Sequence, residues 1–203
     1  MRKMSITEAL VELKTLDSRI EKATNKAWCA VVPSKDVDVP EVKEACRMIR
    51  ANYDSVTDLI SERAKIKAAI VKSNAVTTVN VGGELMSVAE AIEKKSSIVY
   101  HKNLKRTMEK QFEEHNREVK AENMKVQIRC DNILEKLVGS DRAKVSEEHQ
   151  AVVDTFMANN KVELMDPINI QSKIEDFDDY ISKFEANVDV ALSVSNAVTF
   201  IEI

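Results

Sequence analysis

Between Gly83 and Gly139 the chain has neither glycine nor proline. The two residues that most readily end a helix are therefore missing from a stretch that opens on Ser87-Val88-Ala89-Glu90. This is the S-x-x-E pattern, in which serine and glutamate satisfy each other's backbone amides at a helix start. Unbroken, residues 87–138 form a helix of about 50 residues, roughly 75 Å long, well beyond an ordinary globular helix. Its apolar stripe is clear at both ends, through Val88, Ala91, Ile92, Ile98 and Val99 and then Ile128, Ile133, Leu134, Leu137 and Val138. Between Met108 and Asn123 the charges Glu109, Lys110, Glu113, Glu114, Arg117, Glu118 and Lys120 dominate, as on a solvated or partner-facing stretch. Gly139 supplies the stop.

A stripe on a rod must be covered by other rods, and four more helical segments are available. Ser5-Ile6-Thr7-Glu8 repeats the capping box and opens a helix over 5–24, with apolar positions Ile6, Leu10, Leu13, Leu16 and Ile20. Trp28 to Val39 breaks the pattern. Its apolar run Ala27-Trp28-Cys29-Ala30-Val31-Val32, closed by Pro33, reads as a strand or an ordered loop. Pro40 suits the first turn of a helix over 41–72, striped by Val42, Cys46, Ile49, Tyr53, Val56, Ile60, Ile66 and Ile70. Ser146 with Glu147 and Glu148 opens a short helix over 146–158, ended by Asn159-Asn160. Asp166-Pro167 reads as N-cap and N1 of a last helix over 167–194. There Ile170, Ile174, Phe177, Ile181, Phe184 and Val188 alternate steps of four and three, a heptad seam that needs a partner helix in this chain or in a neighbouring subunit.

Two short segments switch to alternation. Thr77 to Val81 is rich in β-branched residues, and Gly82-Gly83 before Glu84-Leu85-Met86 marks a hairpin, since a type I′ turn needs positive φ at both central positions. Ser73-Asn74-Ala75-Val76-Thr77 recurs as Ser195-Asn196-Ala197-Val198-Thr199, each time after an amphipathic helix and before an apolar run. Because two strands alone are marginal in water, the expectation is that the hairpin at 77–86 pairs with the terminal strand 199–203 and clasps the helix ends. The fold class is mainly α: long antiparallel helical hairpins or a bundle with a small β-hairpin plus a C-terminal strand. Residues 1–203 read as a single elongated helical domain.

Composition narrows the function classes. Net charge is -4, so no basic surface speaks for nucleic acid as the main ligand. No apolar run approaches ~18 residues, so no membrane span is expected. Met1-Arg2-Lys3-Met4 runs straight into an amphipathic helix rather than a signal-peptide core, which reads as a cytoplasmic start. The three cysteines, Cys29, Cys46 and Cys130, are odd in number and widely spaced, which suggests neither a disulfide framework nor a zinc knuckle. His101, His115 and His149 belong to no metal or catalytic motif, and Gly82-Gly83 is followed by no phosphate-cradling Lys-Ser/Thr. Glu175, Asp176, Asp178 and Asp179 flank the heptad seam as surface charges. No cofactor, no metal site and no enzyme activity are expected.

The layout resembles the DIP1984 family of small helical proteins, some of which are labelled septicolysin-like. The likeness rests on Thr7-Glu8-Ala9-Leu10 with Leu16-Asp17-Ser18-Arg19-Ile20. It continues through Ser73 to Thr77, Gly83 and Met86-Ser87-Val88-Ala89-Glu90-Ala91-Ile92, and closes on Val188-Asp189 with Ser195 to Thr199. The chain departs from the family at Trp28–Val39 and in the polar stretch 108–123. The resemblance implies fold more than activity, and no membrane-inserting segment backs the toxin-like label. Similar chains look like proteins of tailed bacteriophages. The functional expectation is therefore a structural virion component (capsid surface, neck or tail) that packs against itself or other virion proteins, located in the virion and made in the host cytoplasm. The candidate interface is Ile170, Ile174, Phe177, Ile181, Phe184, Val188, Thr199, Phe200 and Ile201. The alternative is a soluble cytoplasmic assembly or chaperone-like binding module.

Overall fold

The computed structural model describes residues 2–26, 28–36, 38–139 and 146–203. Met1 and Ala27, which enter two of the sequence readings above, lie outside the described residues. The fold is mainly α, as expected. In chain order it runs β1 (Lys3–Ser5), α1 (Ile6–Thr24), a 3-10 turn (Ser34–Asp36), α2 (Pro40–Val76), β2 (Thr78–Val81), β3 (Glu84–Ser87), α3 (Val88–Val138), α4 (Glu147–Asn160), α5 (Ile170–Val198) and β4 (Phe200–Glu202). The long stretch without breakers is one helix of 51 residues, and it stops at Gly139, whose φ is +69°. The chain divides into two compact units, residues 1–96 with 183–203 and residues 97–182.

The first unit is built on a duplicated junction. In one copy α2 ends where the Thr77 amide donates to the Ser73 carbonyl at 2.9 Å. The chain then passes through β2, the Gly82-Gly83 turn and β3 into α3. In the other copy α5 ends where the Thr199 amide donates to the Ser195 carbonyl at 2.9 Å. Here β4 pairs not with the hairpin but with β1, which leads into α1. The registers match: Ser87 faces Thr78 and Met86 faces Val79, as Ser5 faces Phe200 and Met4 faces Ile201. Each ladder is closed by one more equivalent bond, Val88 to the Thr77 carbonyl at 2.8 Å and Ile6 to the Thr199 carbonyl at 2.9 Å.

The expected three-stranded clasp of 77–86 with 199–203 is therefore corrected to two separate two-stranded ladders. The reason is a second sequence echo. Met4-Ser5-Ile6-Thr7-Glu8-Ala9-Leu10 matches Met86-Ser87-Val88-Ala89-Glu90-Ala91-Ile92. The terminal strand therefore finds in β1 the same partner that β2 finds in β3. Both serines cap their helices: the Glu8 amide donates to Ser5 Oγ at 3.2 Å and the Glu90 amide to Ser87 Oγ at 3.1 Å.

Side chains from both copies supply the core. Met4, Ile6, Ala9, Leu13, Leu16, Leu59, Ile66, Ile70 and Ile201 form one apolar cluster. The positions equivalent to Met4, Ile6, Ala9, Ile66 and Ile201 are Met86, Val88, Ala91, Val188 and Val79, and all five are buried too. Each large side chain so buried contributes on the order of 1.5–3 kcal/mol. Antiparallel α1 and α2 are stapled by the Arg63–Asp17 ion pair and by Lys26 Nζ donating to Asn52 Oδ1 at 2.9 Å. On the other side α3 meets α5 through the Lys95–Asp189 ion pair, and the Lys94 ammonium lies 5.5 Å from the centre of the Phe184 ring.

In the second unit Lys105 pairs with Asp178 and Glu109. The His101 ring lies 5.9 Å from Phe177 and 5.3 Å from Tyr180. Asn123 ties down the segment after α4, giving its amide to the Val162 carbonyl at 2.8 Å and accepting from the Val162 amide at 2.9 Å. Asp166 caps α5 differently from the reading of its sequence. Its carboxylate accepts from the Ile170 amide at 2.8 Å, and Asn169 takes a positive φ of 54°. Asp166-Pro167 thus forms a turn, and the helix begins after that turn.

Candidate functional site

The heptad seam of α5 finds its partner inside the chain. Ile181, Phe184 and Val188 are buried, as is Ile201 on β4, and Ile170, Ile174, Phe177 and Thr199 are partly buried. The cover comes from α3, as the Lys94–Phe184 and His101–Phe177 contacts show. Of the interface residues expected from sequence, only Phe200 stays open, at 55% exposure. Along α5 the seam thus meets the chain's own α3, one of the two partners its spacing allowed.

Groups able to do chemistry are scattered. Among the described residues no three His, Cys, Asp or Glu side chains come together as a metal site. His115 Nδ1 lies 2.7 Å from the Gln111 carbonyl, and His149 caps α4 with Ser146. His101 Nδ1 is buried without a hydrogen-bond partner, and the ring lies against Phe177 and Tyr180. The displaced proton affinities are structural in origin. Hydrogen bonds from the Ser5 backbone and side chain hold Glu8 below the usual carboxylate range, and Ser87 does the same to Glu90. Lys105 is raised, mainly by its hydrogen bond to Asp178.

What the surface offers instead is apolar relief in two places. The first is a groove on α2. This helix has 37 residues and α1 only 19, so α1 leaves the first turns of α2 uncovered. The segment after α1 crosses that gap. Trp28 Nε1 donates to the Thr24 carbonyl at 3.0 Å and anchors it. One cavity of about 360 Å³ lies between Trp28, Cys29, Ala30 and Val32 on this segment and Val42, Ala45, Cys46 and Ile49 on α2. A second, of about 650 Å³, continues past Trp28 along Ile49, Tyr53, Val56 and Ile60. The sequence carried half of this signal, the α2 stripe; what it lacked was any periodicity in Trp28–Pro33 to show which face that segment covers.

The second place is the outer face of α5 and β4. Val190, Val194 and Val198, one turn apart, and then Phe200 are all more than half exposed. No charged residue lies between Val190 and Thr199.

No family model matches this chain, and no curated protein or solved structure matches it either. The candidate site therefore rests on the geometry alone. Among the described residues no helix is long and apolar enough to cross a membrane.

Proposed function

We propose that this chain is a non-enzymatic structural subunit that works by packing against copies of itself or other proteins of an assembly. The assembly suggested by the sequence resemblance is a phage virion. One observation carries the reading: the open valine row on α5. The duplicated junction supplies an internal control for it. At the positions of Val190, Val194, Val198 and Phe200, the α2 copy has Ala68, Lys72, Val76 and Thr78. Both sets are exposed, so the fold requires neither. One copy carries a lysine and a threonine on its outer face; the other carries apolar groups there, which gain from being covered.

The test uses the same comparison. The purified chain should show a concentration-dependent rise in mass by sedimentation, and Val194→Lys, which installs the residue the other copy tolerates, should lower it while leaving helicity and melting unchanged. Mass spectrometry of purified particles then addresses the virion. A chain that stays monomeric at every concentration and is absent from particles defeats the proposal. The α2 groove favours a second reading, a module that takes up an apolar segment of a client protein. That reading requires Tyr53→Lys, rather than Val194→Lys, to abolish association.

A further inference from the structure

We propose that Cys29 and Cys46 form a reversible dithiol–disulfide pair that latches the Trp28–Pro33 segment onto α2. Two thiols from different elements line one cavity, with Cys29 on the crossing segment and Cys46 on the helix it crosses. Both are free and exposed, whereas Cys130 is free and buried. The course of the segment brings them into step. Trp28 lines both cavities, as do Ile49 and Arg50, while Val32 lines only the cavity that reaches Glu41 and Val42. The segment therefore runs antiparallel to α2, from the Ile49 turn towards the Val42 turn. Cys29 follows Trp28 directly and Cys46 lies one turn before Ile49 on α2, so both thiols stand on the walls of the same cavity. The anchor from Trp28 Nε1 to the Thr24 carbonyl fixes where that run begins.

The chemistry is thiol–disulfide exchange with a small-molecule disulfide, RSSR. One protein thiolate attacks RSSR, forming a mixed disulfide and releasing RS⁻. The second thiolate attacks the protein sulfur of that mixed disulfide and releases another RS⁻. The two thiol protons end on the two RSH molecules, the protein pair is oxidised by two electrons, and RSSR is reduced by two. The resulting bond closes the loop between residues 29 and 46 and holds the segment over the first turns of α2, so the groove is narrower in the oxidised chain. This inference stands independently of the assembly role.

The experiment treats the full chain under native conditions with 4,4′-dithiodipyridine and follows released thiopyridone, intact mass and tryptophan emission. Trp28 is the chain's single tryptophan, and a neighbouring disulfide quenches indole emission. The expected result is two thiopyridones per chain with no adduct retained, a mass lower by two hydrogens, a Cys29–Cys46 peptide in the digest, and quenched emission that returns on reduction. Cys29→Ser and Cys46→Ser should each release one thiopyridone and keep one adduct on the remaining partner. Stable adducts on both cysteines of the unaltered chain, no reaction at either, or a bond between chains or to Cys130 would overturn the proposal.

Discussion

Single side chains at the two junctions repeat each other closely enough to be tested in pairs. Glu8 and Glu90 are each held below the ordinary carboxylate range by hydrogen bonds from Ser5 and Ser87. A carboxyl with a lowered folded-state pKa stabilises the fold above its unfolded value, about 4.3 for glutamate. That contribution is lost as pH falls through the lower, folded value. Melting temperature should therefore fall on the acid side of about pH 4. Glu8→Gln, which keeps an acceptor for the capping box but cannot titrate, should flatten that fall in part, and Glu8→Gln with Glu90→Gln should flatten it further. Thermal scans from pH 3 to pH 6 read this directly; an unchanged acid limb would mean that the caps carry no charge-dependent stability.

Glycine substitution separates backbone strain from crowding at the same scale. Gly82 and Gly139 both have φ between 60° and 70°, where an L side chain costs about 1–2 kcal/mol. A Cβ on Gly82 would also lie 3.0 Å from Lys183 Cγ and 3.2 Å from the Lys183 carbonyl, whereas at Gly139 it would meet nothing within 4 Å. The lysine stem can move aside but the carbonyl of α5 cannot. Gly82→Ala should therefore lower the denaturation midpoint more than Gly139→Ala, and equal losses would show that the hairpin turn is not seated on α5.

At the scale of elements, the buried stripes explain both what the sequence revealed and what it hid. The five helices were legible because glycine and proline are scarce and the apolar spacing is helical; their ends lie within a few residues of the expected ones. The partner of β4 was not legible. A three-residue strand carries no register information of its own, and its true partner lies at the opposite end of the sequence. The second echo, Met4 to Leu10 with Met86 to Ile92, was present but belongs to the opposite side of each ladder from the Ser73 and Ser195 echo. Only the pairing shows that the two echoes are halves of one motif. The heptad seam was read correctly as a helix-packing face, while the choice between α3 and another subunit had to come from the fold. Ile66 is fully buried at the centre of the α1–α2 cluster, so Ile66→Ala should cost about 2–5 kcal/mol. Ile60, half exposed one turn and a half away, should lose less than about 0.5 kcal/mol on the same change. Urea denaturation measures both, and comparable losses would mean that α1 does not seal α2.

At the scale of the molecule, the duplication makes the two ladders interchangeable in connectivity. In one, Val81 and Glu84 are joined through Gly82-Gly83. In the other, the residues at the same positions are Ile203 and Arg2, held by a reciprocal pair of backbone hydrogen bonds, Arg2 amide to Ile203 carbonyl at 2.8 Å and Ile203 amide to Arg2 carbonyl at 3.1 Å. This is the spacing a two-residue type I′ turn bridges. A permuted chain in which Gly-Gly joins Ile203 to Arg2, with new ends opened between Gly82 and Gly83, should therefore fold to the same helical content. Its hairpin and its open ladder have simply exchanged places. The contacts of α1, α2, α3 and α5 are untouched, and the cut falls in a turn outside any helix. What changes is the chain entropy of closing each ladder. The hairpin loses its covalent help and the terminal pair gains it, so the two effects oppose each other and the melting temperature should move by only a few degrees. Circular dichroism and thermal melting of the permuted chain decide the matter. If it fails to fold while a chain carrying only the Gly-Gly turn residues on its own ends folds normally, the hairpin is a folding nucleus that the β1–β4 pair cannot replace, and the two copies are alike in form but not in role.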